Sequence, residues 1–216
     1  MKKSLKYLII GHPRCGSGFA AHLFSKLGIP ASHEIEPINK SALSSWAFNI
    51  EHEPNDLIEP RYGIDGWEWR VKYSFQHTIT HLRNPFDALP SIINENECGW
   101  SLDIRNKYIK KITHKIVSGS PVERAILCYL YWNKIAIDKS EIYFKIESKK
   151  DLEKVQAYLS SKDEDLESID FTSLKKVNSK PLHKKQIEKD QYKFVSPEIK
   201  SELFDFCTQY GYEYIL

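Results

Sequence analysis

Tyr7-Leu-Ile-Ile-Gly-His-Pro-Arg-Cys-Gly-Ser-Gly-Phe-Ala-Ala-His-Leu-Phe24 decides the fold of this chain. A short apolar run breaks at a glycine-rich, arginine-bearing turn and passes straight into a helical pattern. A strand that feeds a helix through such a turn is a phosphate cradle: glycines let the backbone approach an anion. The free N–H groups of the first helical turn point at that anion, and the helix dipole favours negative charge there.

Outward from this stretch, Leu5 to Ile10 reads as a buried parallel strand, Gly11 to Gly18 as the loop, and the helix runs to about Leu27, where Gly28 stops it. Ile29 to Glu34 leads away from that helix. Lys40 to Ile50 has a helical look, and the Pro-, Asp- and Glu-rich stretch to Gly66 reads as an irregular excursion. Trp67 to Tyr73 and Gln76 to Leu82 read as strands. A helix then starts at Asn84-Pro85-Phe86-Asp87, with Asn84 as N-cap, Pro85 at the first helical position and Asp87 in the first turn. Helical periodicity returns over Asp103 to Val117 and Val122 to Ile137; Glu141 to Ile146 reads as a strand, Asp151 to Leu159 as a helix, and Ser196 to Tyr210 as a final helix stopped by Gly211.

Strands alternating with helices predict an α/β fold, a three-layer sandwich around a mainly parallel central sheet. Ligands of such sheets sit beyond the carboxyl ends of the strands. Both the Gly11 to Gly18 loop and the turn at Arg83 lie at such ends, so they are expected to face one crevice.

With 41% hydrophobic and 12% aromatic residues among 216, the chain can bury one substantial core, and a single domain over residues 1–216 is expected. A net charge of only +2, from 31 basic and 29 acidic residues, gives no global field for nucleic acid or an anionic membrane, so any basic site is local. The cysteines Cys15, Cys98, Cys128 and Cys207 stand far apart without a CxxC pair, which predicts reduced thiols in a cytoplasmic protein rather than a zinc site or a disulfide scaffold. Tyr7 to Ile10 is too short for a signal-peptide core, and no segment has the length to span a bilayer.

A nucleotide triphosphatase or kinase loop needs Gly-x-x-x-x-Gly-Lys-Ser/Thr. Gly11 and Gly16 have that spacing, but Ser17 stands where the lysine belongs, so contact with the terminal phosphates of ATP and a magnesium site are both missing. The cation is instead Arg14, ahead of the second glycine. The second element is His81-Leu82-Arg83-Asn84-Pro85-Phe86-Asp87-Ala88-Leu89-Pro90-Ser91. Capping alone accounts for Asn84, Pro85 and Asp87, and Arg83 alone reads equally as a surface ion-pair partner.

Together the two elements resemble the sulfotransferases that use 3'-phosphoadenosine 5'-phosphosulfate (PAPS), in a small bacterial-type form. In that family a strand-loop-helix with Pro, Lys or Arg, Gly and Ser/Thr holds the 5'-phosphosulfate, and Pro13-Arg14-Cys15-Gly16-Ser17-Gly18 is similar to it. A second segment, Arg-x-Pro-x-Asp with a serine eight residues after the arginine, holds the 3'-phosphate, and Arg83, Pro85, Asp87 and Ser91 match it. An arginine fork suits that phosphate geometrically. The resemblance implies a P-loop-like sulfotransferase fold, PAPS as co-substrate held by Arg14, Cys15, Gly16, Ser17, Gly18, Phe19, Arg83 and Ser91, and no metal. The tail Asn178-Ser179-Lys180 with His183-Lys184-Lys185 resembles the basic loop that closes over the donor, which adds Lys180; a solvated basic loop is the other reading. Many members have lysine at position 14; arginine keeps the charge but does not give up a proton.

Sulfonate transfer needs an acceptor hydroxyl in line with sulfur and the bridging oxygen of the 5'-phosphate, so positioning and charge stabilisation dominate. The acceptor is expected to be a glycan hydroxyl ahead of a phenol or other small alcohol. Glu34 is the first choice for the base that takes the acceptor proton, since related members have a glutamate at a similar distance behind the loop. His33 is the reserve, Glu36 competes and His183 is a third option. The alternatives are a nucleotide kinase with a degenerate loop and a noncatalytic nucleotide-binding protein. His77 and His81 share one face of a strand and are read as core or edge residues rather than metal ligands. Tyr62, Trp67, Trp69 and Trp100 suggest an aromatic wall for a sugar or phenol, while Tyr129, Tyr131 and Trp132 are assigned to packing.

Overall fold

The computed structural model describes residues 2–46, 73–96, 100–162, 165–174 and 192–215. The chain divides into two compact units, one formed by Met1–Arg83 with Ala136–Lys180 and the other by Asn84–Ile135 with Pro181–Leu216.

The first unit is built on a five-stranded, wholly parallel sheet, so the α/β expectation holds. Its strands are β1 (Lys3–Ile10), β2 (Ala31–His33), β3 (Ala42–Ser44), β4 (Tyr73–Leu82) and β5 (Ile142–Lys145), in the order β2-β3-β1-β4-β5. Strand β1 lies at the centre because both its faces are apolar. Tyr7 and Ile9 join Ala20, Leu23, Phe24 and Leu27 of helix α1 (Ser17–Lys26), while Leu8 and Ile10 pack with Leu43, Tyr73 and Ala136. A parallel strand buried on both faces loses the polar alternation of an exposed one. On α1 the four apolar residues recur at the spacing that lines one side of a helix, and Phe24 meets the Tyr7 ring edge-on at 5.9 Å. The α1 face also takes Leu152, Val155 and Leu159 of a later helix, Lys149–Ser160, which Ser148 caps by accepting the Asp151 N–H.

Two connections differ from their sequence reading. Ile29 to Glu34 is not merely a lead-out but carries β2, and the helical look of Lys40 to Ile50 gives way to β3 over Ala42–Ser44, with residues 47–50 outside the described set. Ala42, Leu43 and Ser44 are all fully buried between β1 and β2. Three residues are too short a run for periodicity to tell strand from helix, and tertiary pairing decides. Strand β4 starts at Tyr73 rather than at Gln76; residues 67–72 lie outside the described set.

The second unit holds α2 (Pro85–Asn96), α3 (Trp100–Thr113), α4 (Pro121–Asp138, to Ile135 in this unit), and α6 (Pro197–Tyr210), α5 being the Lys149–Ser160 helix above. Asn84 caps α2 as its sequence indicates, its Oδ1 accepting the Phe86 N–H at 2.9 Å. Helix α3 begins and ends a few residues before its reading of Asp103 to Val117, because His114 takes a left-handed φ of 58°. Tyr129, Tyr131 and Trp132 are buried, as their assignment to packing requires; Tyr129 meets Phe206 of α6 at 5.4 Å and the Tyr131 hydroxyl donates to Glu202. Arg105 of α3 is fully buried and divides its donors among Glu95 (3.1 Å), Asn96 (2.6 Å) and the Cys128 sulfur (3.2 Å).

Candidate functional site

The strand order reverses around β1, and an open parallel sheet leaves its crevice at the carboxyl ends beside such a reversal. Four strands of the first unit deliver polar groups there. The β1 end supplies the loop. At Gly11 a Cβ would stand 2.6 Å from the His81 carbonyl oxygen and 2.7 Å from its ring, so only glycine fits. Cys15 N–H donates to the His12 carbonyl, and Arg14 and Gly16 take left-handed φ values of 72° and 100°. This reversal turns the chain into α1 with Gly16 as N-cap, which has no side chain to satisfy the first amides, and no acid stands in the first turn. The N–H groups of Ser17, Gly18 and Phe19 therefore open an anion nest.

The side chains expected in that nest divide. Arg14 is exposed, whereas the Cys15 thiol is fully buried and Phe19 packs into the α1 core, so these two can contribute backbone N–H only. Arg83, the residue after β4, donates from Nη1 to the Arg14 carbonyl at 3.3 Å. That bond brings the first arginine of the second motif onto the first loop. Ser91 lies half-buried on α2, in the second unit. Lys180, with Asn178, Ser179, His183, Lys184 and Lys185, lies outside the described residues, as do Tyr62, Trp67, Trp69 and the side chain of Trp100.

His33 and Glu34 reach the same strand ends through β2. The His33 Nε2 and the Ser17 Oγ share a hydrogen bond of 2.8 Å. Glu34 has a left-handed φ of 58°, its N–H donates to the Ser44 carbonyl at 3.1 Å, and its carboxylate accepts from Ser45 Oγ at 2.7 Å and the Trp46 N–H at 2.9 Å. Ser44 Oγ in turn donates to the Ser17 carbonyl at 2.8 Å. Glu36 is held elsewhere, accepting from the hydroxyl of Tyr73, the first residue of β4. Burial and the Glu36 carboxylate push that phenol above its ordinary pKa.

Ser44, Ser45 and His81 join the site without having been singled out for it. The serines sit at the end of β3, in the stretch with a helical look, and a lone serine pair carries no sequence signal. His81 is fully buried against Gly11, and burial first, then the charge of His33, push its pKa down to about 3 against a weak opposing pull from the Ile10 backbone. His77 points to a different cluster, sharing a 2.8 Å hydrogen bond with Glu141. Among the described residues no group of His, Cys, Asp and Glu side chains could hold a metal ion, and no helix is long and apolar enough to cross a membrane.

No family model matches the chain, and no curated protein sequence matches it. Among solved structures it is similar to mouse sulfotransferase SULT7A1 complexed with PAP, at 12% identity and a TM-score of 0.46, over 95% of this chain and 84% of that one.

Proposed function

We propose that this chain is a sulfotransferase that moves a sulfonate group from PAPS to an acceptor hydroxyl on a carbohydrate or other small alcohol. The observation that carries the reading is the Arg83 guanidinium on the Arg14 carbonyl, which joins both phosphate-binding motifs at the carboxyl ends of adjacent strands. A nest of helix N-terminal amides takes one phosphate, and an arginine fork beside it suits a second. A donor with phosphates at both the 5' and 3' positions uses both.

The reaction follows from these groups. The acceptor oxygen forms a bond to sulfur while the bond from sulfur to the bridging oxygen breaks, and the electron pair stays on the 5'-phosphate. That phosphate gains negative charge facing the Ser17, Gly18 and Phe19 amides and Arg14, which are in place before the charge develops. Glu34 takes the acceptor proton. Its bonds from Ser45 and the Trp46 N–H orient the carboxylate and leave lone pairs for a proton, since a carboxylate offers about four acceptor positions. The free, buried thiols of Cys15, Cys128 and Cys207 suit a reducing compartment.

Thermal stabilisation by adenosine 3',5'-bisphosphate (PAP), AMP and magnesium-ATP tests the donor. A ligand at 100 times its dissociation constant adds about 2.7 kcal/mol of stability. The bisphosphate is expected to raise Tm well above AMP in the wild type and to lose that advantage in Arg83→Ala. A preference for magnesium-ATP would point to a kinase and sink the reading, and bisphosphate binding without sulfonated product over an acceptor panel would reduce the protein to a binder.

A further inference from the structure

Ser17 opens α1, and its Oγ is tied to His33 Nε2 at 2.8 Å. A side chain from β2 is thereby fixed at the positive end of a helix whose first turn holds no acid. The loop lacks the lysine that faces phosphate in nucleotide triphosphatases, and Arg14 stands before the nest rather than in the helix. His33 occupies the side of the cradle that the loop's own residues leave without a cation. A second observation also points to a ligand here. His81 is fully buried, neither of its ring nitrogens makes a hydrogen bond, and its Nε2 lies 2.8 Å from where a Cβ on Gly11 would stand, so the ring edge is aimed at the first residue of the cradle.

We propose that protonated His33 is a direct ligand of the 5'-phosphate in the cradle, sharing that anion with Ser17 and taking the place of the missing lysine. The proposal rests on the reading of the cradle as the PAPS site. It separates two adjacent side chains by role, with Glu34 serving the acceptor and His33 the donor.

The surrounding charges favour this division. Helix α1 carries His22 and Lys26 besides Ser17; β3 offers Ala42, Leu43 and Ser44 and nothing ionisable; β4 carries His77 and His81; the flanking turns bring Arg14 and Glu34. His77 and the Glu34 carboxylate have partners of their own in Glu141 and in Ser45 with Trp46. Burial keeps His81 neutral, so of the two coupled imidazoles the half-buried His33 is the one that takes a proton. The nearby arginine charge opposes a proton on His33 until an anion arrives, which couples proton uptake to phosphate binding. When sulfonate leaves, the 5'-phosphate gains charge, so a protonated His33 holds the product more tightly than the donor.

Affinity for PAP is measured from pH 6.0 to 8.5 in the wild type, His33→Asn and His33→Lys, and each variant is read as a ratio to wild type so that titration of the ligand cancels. The wild type is expected to bind about tenfold more tightly than His33→Asn at the acid end, the size of a charge-assisted hydrogen bond, and to converge with it at the alkaline end. His33→Lys, whose charge does not titrate in this range, is expected to stay tight throughout. In the wild type alone, the His33 ring resonances are expected to shift to the protonated form when PAP is added at pH 7.5, a readout that needs no variant to fold. A flat ratio across pH, or an unchanged ring on PAP binding, overturns the proposal while leaving the donor reading intact. Unchanged PAP affinity with turnover lost in His33→Asn also overturns it, because His33 would then serve the acceptor. Failure of the wild type to bind PAP at every pH removes the donor reading itself and this proposal with it.

Discussion

At the scale of single residues, the site turns on how two neighbours are held. Glu34 and His33 are adjacent in sequence but belong to different networks: Glu34 to Ser45 and Trp46 at the end of β3, and His33 to Ser17 at the start of α1. A left-handed φ at Glu34 turns the chain between them. Glu34→Gln keeps the size and one acceptor oxygen while removing the charge that accepts a proton. Donor affinity is expected to stay near that of the wild type while turnover falls at least tenfold, within the range general bases contribute. Steady-state kinetics at saturating PAPS beside a direct PAP titration checks this; normal turnover would remove Glu34 from the base role.

At the scale of elements, the junction of β1 and α1 is the most constrained piece of backbone in the site. Gly16 combines a φ of 100° with a space in which a Cβ would stand 2.6 Å from Ile146 Cδ1. Gly16→Ala therefore carries both backbone strain and overpacking, together about 1–3 kcal/mol, and turns the first amides of α1 away from the nest. Denaturant unfolding is expected to show that loss alongside PAP binding weakened at least tenfold; wild-type affinity in a destabilised variant would show that the nest does not depend on this turn. The same junction was the most legible part of the chain, because Gly11 and Gly16 flank an apolar run followed by helical spacing, and Asn84 was legible as a cap for the same local reason. Strand β3 was not legible. Ala42, Leu43 and Ser44 are strand because β1 and β2 lie on either side of them, and nothing within the three residues says so. With β3 unread, Ser44 and Ser45 could not be assigned to the site, and the burial of His81 likewise depends on the long-range pairing of β4 with β1. Arg105 is a fourth case: its buried partners on α2 and α4 are distant in sequence, and an isolated arginine on α3 reads as solvated.

At the scale of the whole molecule, protonation links these details to global stability. Glu141 precedes β5 and is held by His77 of β4, Tyr158 of α5 and Lys162; partial burial raises its pKa, but those hydrogen bonds outweigh it and bring the carboxyl down to about 2 from 4.5. A depressed carboxyl contributes stability above its unfolded value, and that contribution is lost as pH falls from about 4.5 towards 2. Its side chain is 40% exposed, so solvent screening keeps this contribution to about 1 kcal/mol. His81 follows the same sign for a different reason. Burial and the His33 charge hold it neutral down to about 3, whereas the unfolded ring protonates at 6.5, so its contribution is present above pH 6.5 and is lost across the window from 6.5 to about 3. Each pH unit of that window corresponds to about 1.4 kcal/mol, which makes His81 the larger effect and the earlier to appear. Acid unfolding of the sheet-bearing unit is therefore expected in two stages, a decline beginning near pH 6.5 and a smaller one below 4.5. His81→Leu, which removes the ring that must charge, is expected to flatten Tm between pH 6.5 and 5 while keeping the lower stage. Glu141→Gln is expected to do the reverse, with a Tm deficit at pH 7 that closes towards pH 2. Calorimetric Tm across pH 2 to 8 for the three proteins decides the matter: an unaltered slope between pH 6.5 and 5 in His81→Leu would mean that the buried imidazole is not the group that unfolding releases to solvent.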